Sequence, residues 1–401
     1  MVSTRGALEG CAWLSSAPQG DAAQREVDQG ALERGAVLHS GGHGAAPAAG
    51  RSAGRGAAAR RRGLRLRCGR PRVARPATLA GAAFGPLVLL GLAAPPAASA
   101  QESALALRCA AASAEAGVPD EVRAFCNLVA QGIEAIQPRI GLAAAGGNPI
   151  AGTASTLGMR LGRSPRVSVG GRITAVRAGL PPIRVAGSAE DLDFFIPAIA
   201  ADASLGLFQG FSPAITVGGV LSLDLLASAG FVFLPDGKGF EDGAPFHWGA
   251  GLRLGILRES FTVPGLSVSA TYRRVGDVRF DSPASGFRLD GIRNLSIRGA
   301  IGKRVYGIGL TAGAGYDHYS SDVAFAVAPP QPPPLVVRMD GFDNDRFMLF
   351  ANAAFTVLVI TGSLELGWQQ GGDVVQGALP APDFDPEDGA FFASLALRLT
   401  I

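Results

Sequence analysis

The sequence lacks the motifs by which most metal- and nucleotide-dependent proteins are recognised. Beyond residue 100 it contains no P-loop, no HExxH pair and no cluster of Cys and His. The stretch GLTAGAG (309–315) has the glycines of a dinucleotide loop, but it lies within a predicted strand with no helix after it. The acidic run DGFDNDR (340–346) lacks the later Glu of an EF-hand, so a solvated loop is the better interpretation. We therefore predict no cofactor and no metal site.

Lysine is almost absent as well. The 36 basic residues include only two lysines, Lys238 and Lys303, a skew that most simply reflects a GC-rich genome. The first hundred residues carry 13 Arg and 5 acidic residues, whereas residues 101–401 carry 23 basic and 28 acidic residues, a net charge of 23 − 28 = −5. Because the basic excess lies wholly in the first hundred residues, nucleic-acid binding is not predicted.

The front of the chain does not have the pattern of a folded domain. Residues 1–72 show no sustained hydrophobic period and are predicted to be a disordered, non-native upstream extension. Residues 73–100 are predicted to be a secretory signal peptide. Arg70, Arg72 and Arg75 give a positive region at its start, and an apolar stretch and small residues follow up to Ala100, after which we expect cleavage. A transmembrane anchor is the alternative, but the apolar run is short for one and is broken by Gly and Pro.

Two cysteines remain in the exported part of the chain. Cys109 and Cys126 are an even pair in an oxidising compartment, which predicts a disulfide. Zinc is the alternative, but two thiolates without nearby His are too few ligands. Capping and amphipathic signals around the pair predict that residues 101–140 form a periplasmic helical hairpin. Residues 141–165 are then a Gly-rich linker or a plug.

From about residue 166 the chain alternates apolar and polar residues with the period of a half-buried strand. The C-terminal stretch FFASLALRLTI (391–401) is the clearest example, and nine further segments of this kind precede it. The connections between the segments alternate strictly between long and short. The long connections are 178–198, 234–247, 276–291, 319–345 and 371–389, and the short ones are 210–213, 259–265, 303–306 and 361–363.

Two features indicate that the apolar face of these strands contacts lipid rather than a protein core. The polar face carries charges that would line a lumen: Arg172, Asp202, Asp224, Arg253, Arg273, Arg298, Glu365 and Arg398. The apolar face carries aromatic residues near strand ends, where a membrane interface favours them: Trp248, Tyr272, Tyr316 and Trp368.

A bilayer forbids open sheet edges, and outer-membrane barrels have short turns on one side and long loops on the other. We therefore predict an all-β fold over 166–401, a closed antiparallel transmembrane β-barrel of about ten strands, with twelve possible. A secreted β-sandwich is the alternative.

On these features residues 101–401 resemble Gram-negative outer-membrane β-barrel proteins. The resemblance implies an outer-membrane location, contact with outer-membrane lipid and assembly by the barrel-insertion machinery. Such proteins usually end in an aromatic residue, whereas this chain ends in Ile401. The stretch GGNPIAGTASTLG (146–158) is similar to the N-terminal segment of the long-chain fatty-acid transporter family, in which that segment belongs to a plug. On that likeness Asn148 and Pro149 are candidate plug residues, and a Gly-rich linker is the alternative.

Three functions are open at this point. The first is transport or permeation of a small solute of unknown identity, with hydrophobic solutes among the candidates. The second is a structural or adhesive barrel whose lumen is filled by its own side chains and which acts through its extracellular loops. The third, an enzyme at the rim built on His247, Asp317 and His318, is not favoured because Asp317 and His318 are adjacent on a strand and point to opposite faces.

Overall fold

A computed structural model describes most of residues 101–401. The described residues are 103–159, 164–184, 192–213, 218–241, 243–328 and 334–401. The predicted upstream extension, the signal peptide and its cleavage site lie outside these residues.

Ten long antiparallel strands close into a barrel, as the sequence predicts. They are β1 (Val167–Leu180), β2 (Leu192–Phe208), β3 (Ser222–Val232), β5 (Phe246–Leu257), β6 (Gly265–Val275), β8 (Ser285–Val305), β9 (Ile308–Val327), β10 (Leu335–Val357), β11 (Ile360–Gln369) and β12 (Ala390–Thr400). Each strand pairs with its neighbour along the chain, and β12 pairs with β1, from Ser168 opposite Thr400 to Val176 opposite Phe392. The C-terminal strand therefore closes the sheet.

Two short strands extend the sheet beyond one end of the barrel. Strand β4 (Phe240–Glu241) pairs with β7 (Val278–Asp281), and β7 pairs with the first residues of β8. Strands β8, β9 and β10 are also longer than the sequence predicts, since 285–291, 319–327 and 335–345 were assigned to loops. These extensions form because their inward residues, such as Val323, Phe325 and Val337, are buried in the core of the molecule.

The barrel has two ends that differ in the length of their connections. The long-loop end comprises 181–191, 233–245, 276–284, 328–334 and 370–389. The short-turn end comprises 209–221, 258–264, 306–307 and 358–359, together with the start of β1 and the end of β12. The two tightest turns, 306–307 and 358–359, both lie at the short-turn end, as predicted. The connection 209–221 is longer than the predicted 210–213 because β3 begins only at Ser222, so the strict alternation of long and short connections is wrong there. The last short turn lies at 358–359 rather than at 361–363, because β11 already begins at Ile360.

Two helices precede the barrel and are joined by the predicted disulfide. Helix α1 (Ala104–Ala116) begins after Ser103, whose hydroxyl accepts a hydrogen bond from the amide of Ala106, and helix α2 spans Asp120–Ala145. Cys109 on α1 is bonded to Cys126 on α2. Neither described helix is long and apolar enough to cross a membrane.

Helix α2 lies inside the barrel, so the prediction of a separate periplasmic hairpin is wrong for this helix. Every residue from Phe125 to Ala145 is buried, and the helix contacts several of the barrel strands. Its first half lies at the long-loop end, where the Asn127 side chain donates to the carbonyl of Gln376 (3.1 Å). The cause is the apolar face of α2, which packs against apolar residues on the inner wall instead of meeting water.

The chain then continues through the lumen to the other end. After α2 ends at Ala145, residues 146–158 contact inward side chains of the wall, and Met159 forms a bridge with Pro165 just before β1. The chain therefore enters at the long-loop end and reaches the start of β1 at the short-turn end. The stretch predicted to be a linker or plug lies within the barrel.

Candidate functional site: the occupied lumen

The half of the lumen next to the long-loop end is apolar. We call this region, formed by α2 and the inward residues around it, the apolar half. Ile133, Ile136 and Ile140 on α2 are fully buried and belong to one hydrophobic cluster with wall residues such as Val176 and Leu180. Burial of one such side chain contributes about 1.5–3 kcal/mol, so the helix is held chiefly by packing.

A buried ionic network marks the lower limit of the apolar half. Arg298 donates to both carboxylate oxygens of Asp317 (3.1 Å each), and neither side chain is more than 1% exposed. The hydroxyl of Tyr319 donates to Asp317 (3.1 Å) and accepts from Gln369 (2.8 Å). The Tyr319 ring lies against Gly141, where a Cβ would overlap the ring, so the close approach requires glycine.

Below this network the lumen is polar. We call this region, formed by residues 146–158 and the wall around them, the polar half. The carboxylate of Glu365 accepts hydrogen bonds from the amides of Gly147 and Asn148, both at 2.8 Å. Arg298 donates to the carbonyls of Gly146 and Gly147, and Arg172 donates to the carbonyl of Asn148 (3.5 Å). Charged wall residues therefore bind the backbone of this segment, which loses its water on entering the lumen.

The same arrangement continues to the short-turn end. Asp224 accepts from the amides of Leu157 (2.8 Å) and Gly158 (3.4 Å), and Arg253 donates to the carbonyl of Thr153 (2.8 Å). At Gly206 a Cβ would overlap the carbonyl of Gly158, so backbone and wall are in direct contact there.

The eight predicted lumen charges all occupy inward positions in the sheet. Arg172, Asp224, Arg253, Arg273, Arg298 and Glu365 are buried, and Asp202 and Arg398 are half-buried. Arg172 pairs with Asp202 (3.1 Å). The sequence analysis did not include Asp317 among the lumen charges. Asp317 lies an even number of positions after Thr311 on β9, so the two side chains are on the same polar face, and this spacing could have revealed it.

The outer surface of the barrel is a continuous apolar band. Along β10 the outward residues from Phe347 to Val357 are apolar and span about 25 Å on a tilted strand. Above them, on the same face, are the carboxylates of Asp345 and Asp343. A closed sheet with a lipid-facing band of this height and an inward polar face belongs in a bilayer. The fold is an outer-membrane β-barrel.

The predicted interfacial aromatics lie on this outer surface. Trp248, Tyr272 and Tyr316 are each more than a third exposed, Trp368 is half-buried, and Trp248 packs edge-on against Tyr272 with ring centroids 6.0 Å apart. Trp248, Tyr272 and Trp368 lie near the strand ends that lead to the long-loop end. Their position agrees with the aromatic belt expected where a barrel leaves the hydrocarbon. Tyr316 lies in the middle of β9, opposite Phe347 at the upper limit of the apolar band, so its prediction as a strand-end residue is wrong.

No family model and no curated protein sequence matches the chain. Among solved structures, it is similar to the outer membrane protease OmpT from Escherichia coli (11% identity, 62% of this chain and 100% of that one, TM-score 0.32). It is similar to the translocator domain of autotransporter NalP from Neisseria meningitidis (10%, 68% and 96%, 0.35) and to the Pseudomonas putida toluene transporter TodX (11%, 64% and 96%, 0.27). At such identities and scores these likenesses carry no argument about the function of this chain.

The occupied lumen leaves little free space in the part that the structure describes. Two small cavities of about 20 and 10 Å³ flank Pro149 in the polar half, each with room for about one water molecule. Arg398 lines the larger cavity and Arg273 the smaller. Each of these guanidinium groups has at least one nitrogen without a hydrogen-bond partner among the described residues.

The residues of the enzyme hypothesis do not come together. His247 is buried and faces inward, whereas His318 is exposed on the outer face, where its Nδ1 lies 2.8 Å from Asp345. Asp317, adjacent to His318 in sequence, points into the lumen toward Arg298. The described residues contain no group of three or more His, Cys, Asp or Glu suited to a metal ion.

One titratable group on helix α2 has a strongly shifted pKa. Glu134 of α2 accepts a hydrogen bond from the Ser103 hydroxyl that precedes α1, so it joins the two helices. Burial raises the pKa of Glu134 to about 7, and the hydrogen bond from Ser103 and the charge of Arg346 only partly offset that shift. The link between the helices therefore changes its charge near neutral pH.

Proposed function

We propose that the protein is a closed outer-membrane barrel that presents helix α1 and its long loops on the cell surface. One observation carries this proposal: helix α2 is buried throughout the lumen, and the chain before it emerges at the long-loop end. Long loops of outer-membrane barrels face the cell exterior. This function is the filled, structural or adhesive barrel that the sequence left open.

The packing of α2 supports a permanent plug rather than a gate. Withdrawal of the helix would expose several fully buried isoleucine and leucine side chains and leave a cavity in the wall cluster. Each large side chain taken from such a core costs about 2–5 kcal/mol, which is a large part of the stability of a typical domain. A helix held in this way stays in place during the life of the folded protein.

The test is the conductance of the full-length protein in planar lipid bilayers. A closed barrel gives no discrete channel openings above the bare bilayer, with an open porin as positive control. Regular, stable openings of the unmodified protein would contradict the proposal. They would favour permeation instead.

Permeation of small solutes is the second candidate, and it has its own support. Residues 146–158 are held by hydrogen bonds rather than by a hydrophobic core, and they are flanked by two cavities and by incompletely paired arginines. If this segment moved, the opened path would be lined by charge, which supports a polar rather than a hydrophobic solute. On this candidate the wild type conducts, and the double variant Glu365→Gln, Asp224→Asn, which loosens the segment, should conduct more strongly. A conductance of the double variant no higher than that of the wild type would contradict this candidate.

A further inference from the structure

Three of the short turns carry large apolar side chains that are almost fully exposed. Phe261 is 98% exposed, Tyr306 is 100% exposed and Leu358 is 93% exposed, and each lies in a different turn. Phe211, in the remaining short turn, is 60% exposed. Three of the four short turns between barrel strands therefore have a large apolar residue at the tip, and in the fourth Phe211 is exposed beside its bridge to Val220.

The backbone at these turns adopts a conformation that bulky residues rarely take. Leu221, Tyr306 and Leu358 are the non-glycine residues with positive φ among those that the structure describes, with φ of 61°, 51° and 53°. Tight turns in water use Gly, Asn or Asp in this left-handed region. Strain of this kind is a reason to look for a function of the side chain.

Basic residues surround the apolar tips. Arg166 and Arg304 are exposed and Arg258 and Lys303 are half-buried at this end, against one acidic residue, Glu259, in the described part of the turns. Lys303 lies two positions after the lipid-facing Ile301 on β8, so the two side chains are on the same face of the strand.

The ammonium group of Lys303 donates to the carbonyls of Ser260 (2.6 Å) and Phe261 (2.7 Å), which holds its charge at the backbone of the turn that bears the exposed Phe261 side chain. A cation and an exposed aromatic side chain on one turn are the arrangement expected where a protein meets both the acyl chains and the phosphates of a bilayer.

The long-loop end has the opposite character. Its loops are rich in proline and acidic residues, as in PAPDFDPED (380–388), and such residues favour solvated loops. The apolar tips of the short turns are also continuous with the lipid-facing band, since Val357 and Ile308 on that band flank the turns. Continuity with the band favours a lipid occupant over a protein partner.

We propose that the short-turn end is a binding surface for anionic phospholipids of the leaflet that it faces. The side chains of Phe261, Tyr306 and Leu358 enter the boundary between acyl chains and headgroups, and Lys303 and Arg304 bind lipid phosphates beside them. The surface lies outside the lumen, so it does not depend on whether the barrel is open or closed.

Fluorescence quenching by brominated lipids tests this proposal. Tyr306→Trp is made in the full-length chain with Trp13, Trp248 and Trp368 replaced by Phe, so that the introduced indole is the only tryptophan. The protein is reconstituted in mixtures of phosphatidylcholine and phosphatidylglycerol in which one or the other lipid carries the bromine atoms. We expect quenching by both, with phosphatidylglycerol enriched about five-fold around the reporter.

Two controls make the result decisive. Val374→Trp in the same background lies in the long loop before β12 and should not be quenched by either lipid. Adding Lys303→Gln and Arg304→Gln to the Tyr306→Trp protein should abolish the preference for phosphatidylglycerol and leave quenching by phosphatidylcholine. An unquenched reporter in the Tyr306→Trp protein would mean that the turns stand in water or bind protein. Equal quenching of that protein by the two lipids would overturn the anionic preference.

Discussion

The two halves of the lumen hold the same chain segment by different forces. In the apolar half, helix α2 is fixed by buried side chains that fit the inner wall. In the polar half, residues 146–158, which have no regular secondary structure, contribute mainly their backbone, and charged side chains of the wall supply the partners. The first arrangement depends on shape and the second on charge and direction.

This difference follows from the secondary structure of the two parts of the chain inside the lumen, α2 and residues 146–158. A helix satisfies its own amides and carbonyls, so its surroundings can be apolar. A segment without regular secondary structure exposes those groups, and each one buried without a partner costs about 1–3 kcal/mol. The wall therefore needs residues such as Glu365, Asp224 and Arg253 where the helix has ended, and these inward charges lie around the irregular residues 146–158.

The largest expected effect comes from the apolar half. Ile136→Ala removes a fully buried side chain of α2 and should lower the free energy of unfolding by about 2–5 kcal/mol. Denaturant titration of the protein in detergent, followed by tryptophan fluorescence, measures this change. Leu107→Ala on the exposed face of α1 is the matched control and should change the value by about 0.5 kcal/mol or less. Equal effects of the two variants would mean that α2 is not packed in a core.

A smaller and more local effect is expected in the polar half. Glu365→Gln weakens two charge-assisted hydrogen bonds and should cost about 1.5–3 kcal/mol. Hydrogen exchange should accelerate at the amides of Gly147 and Asn148 and stay slow in α2. Asp193→Asn, which breaks only an exposed pair with Arg177, serves as control. Faster exchange along the whole of α2 would show that the two halves do not act separately.

The smallest effect is a dependence of stability on pH that originates at Glu134. Because the folded pKa of about 7 exceeds the ordinary glutamate value of 4.5, the folded state binds the proton more tightly. The stability from this group is present below the ordinary pKa and is lost as pH rises through the folded pKa. The free energy of unfolding should therefore be about 1 kcal/mol lower at pH 8 than at pH 6. Glu134→Gln should remove this difference, and an unchanged slope in that variant would assign the dependence to other groups.

The sequence predicted the barrel well because a strand has a simple period. Alternation along β12 and along β1 determines which residues face lipid, and the lengths of the connections separate the two ends. The disulfide between Cys109 and Cys126 also followed from composition and compartment.

The course of α2 could not be predicted in the same way. Its second face carries Gln131, Glu134, Gln137 and Arg139, which on a helix indicate exposure to water. In the structure these residues are buried against the inner wall and loops, where Gln137 donates to Ser321 (2.8 Å). Such neighbours are far apart in sequence and depend on the finished barrel, so a local pattern cannot reveal them.

The most direct test of the filled barrel is the position of α1 relative to the membrane. Glu115→Cys lies on an exposed part of α1, and Thr262→Cys lies in an exposed short turn. Each variant is treated with a membrane-impermeant maleimide on intact cells and again after permeabilisation. The account predicts that the Glu115→Cys protein reacts on intact cells and that the Thr262→Cys protein reacts only after permeabilisation. Protection of the Glu115→Cys thiol until the cells are opened would contradict the course of the chain through the lumen and the surface display that rests on it.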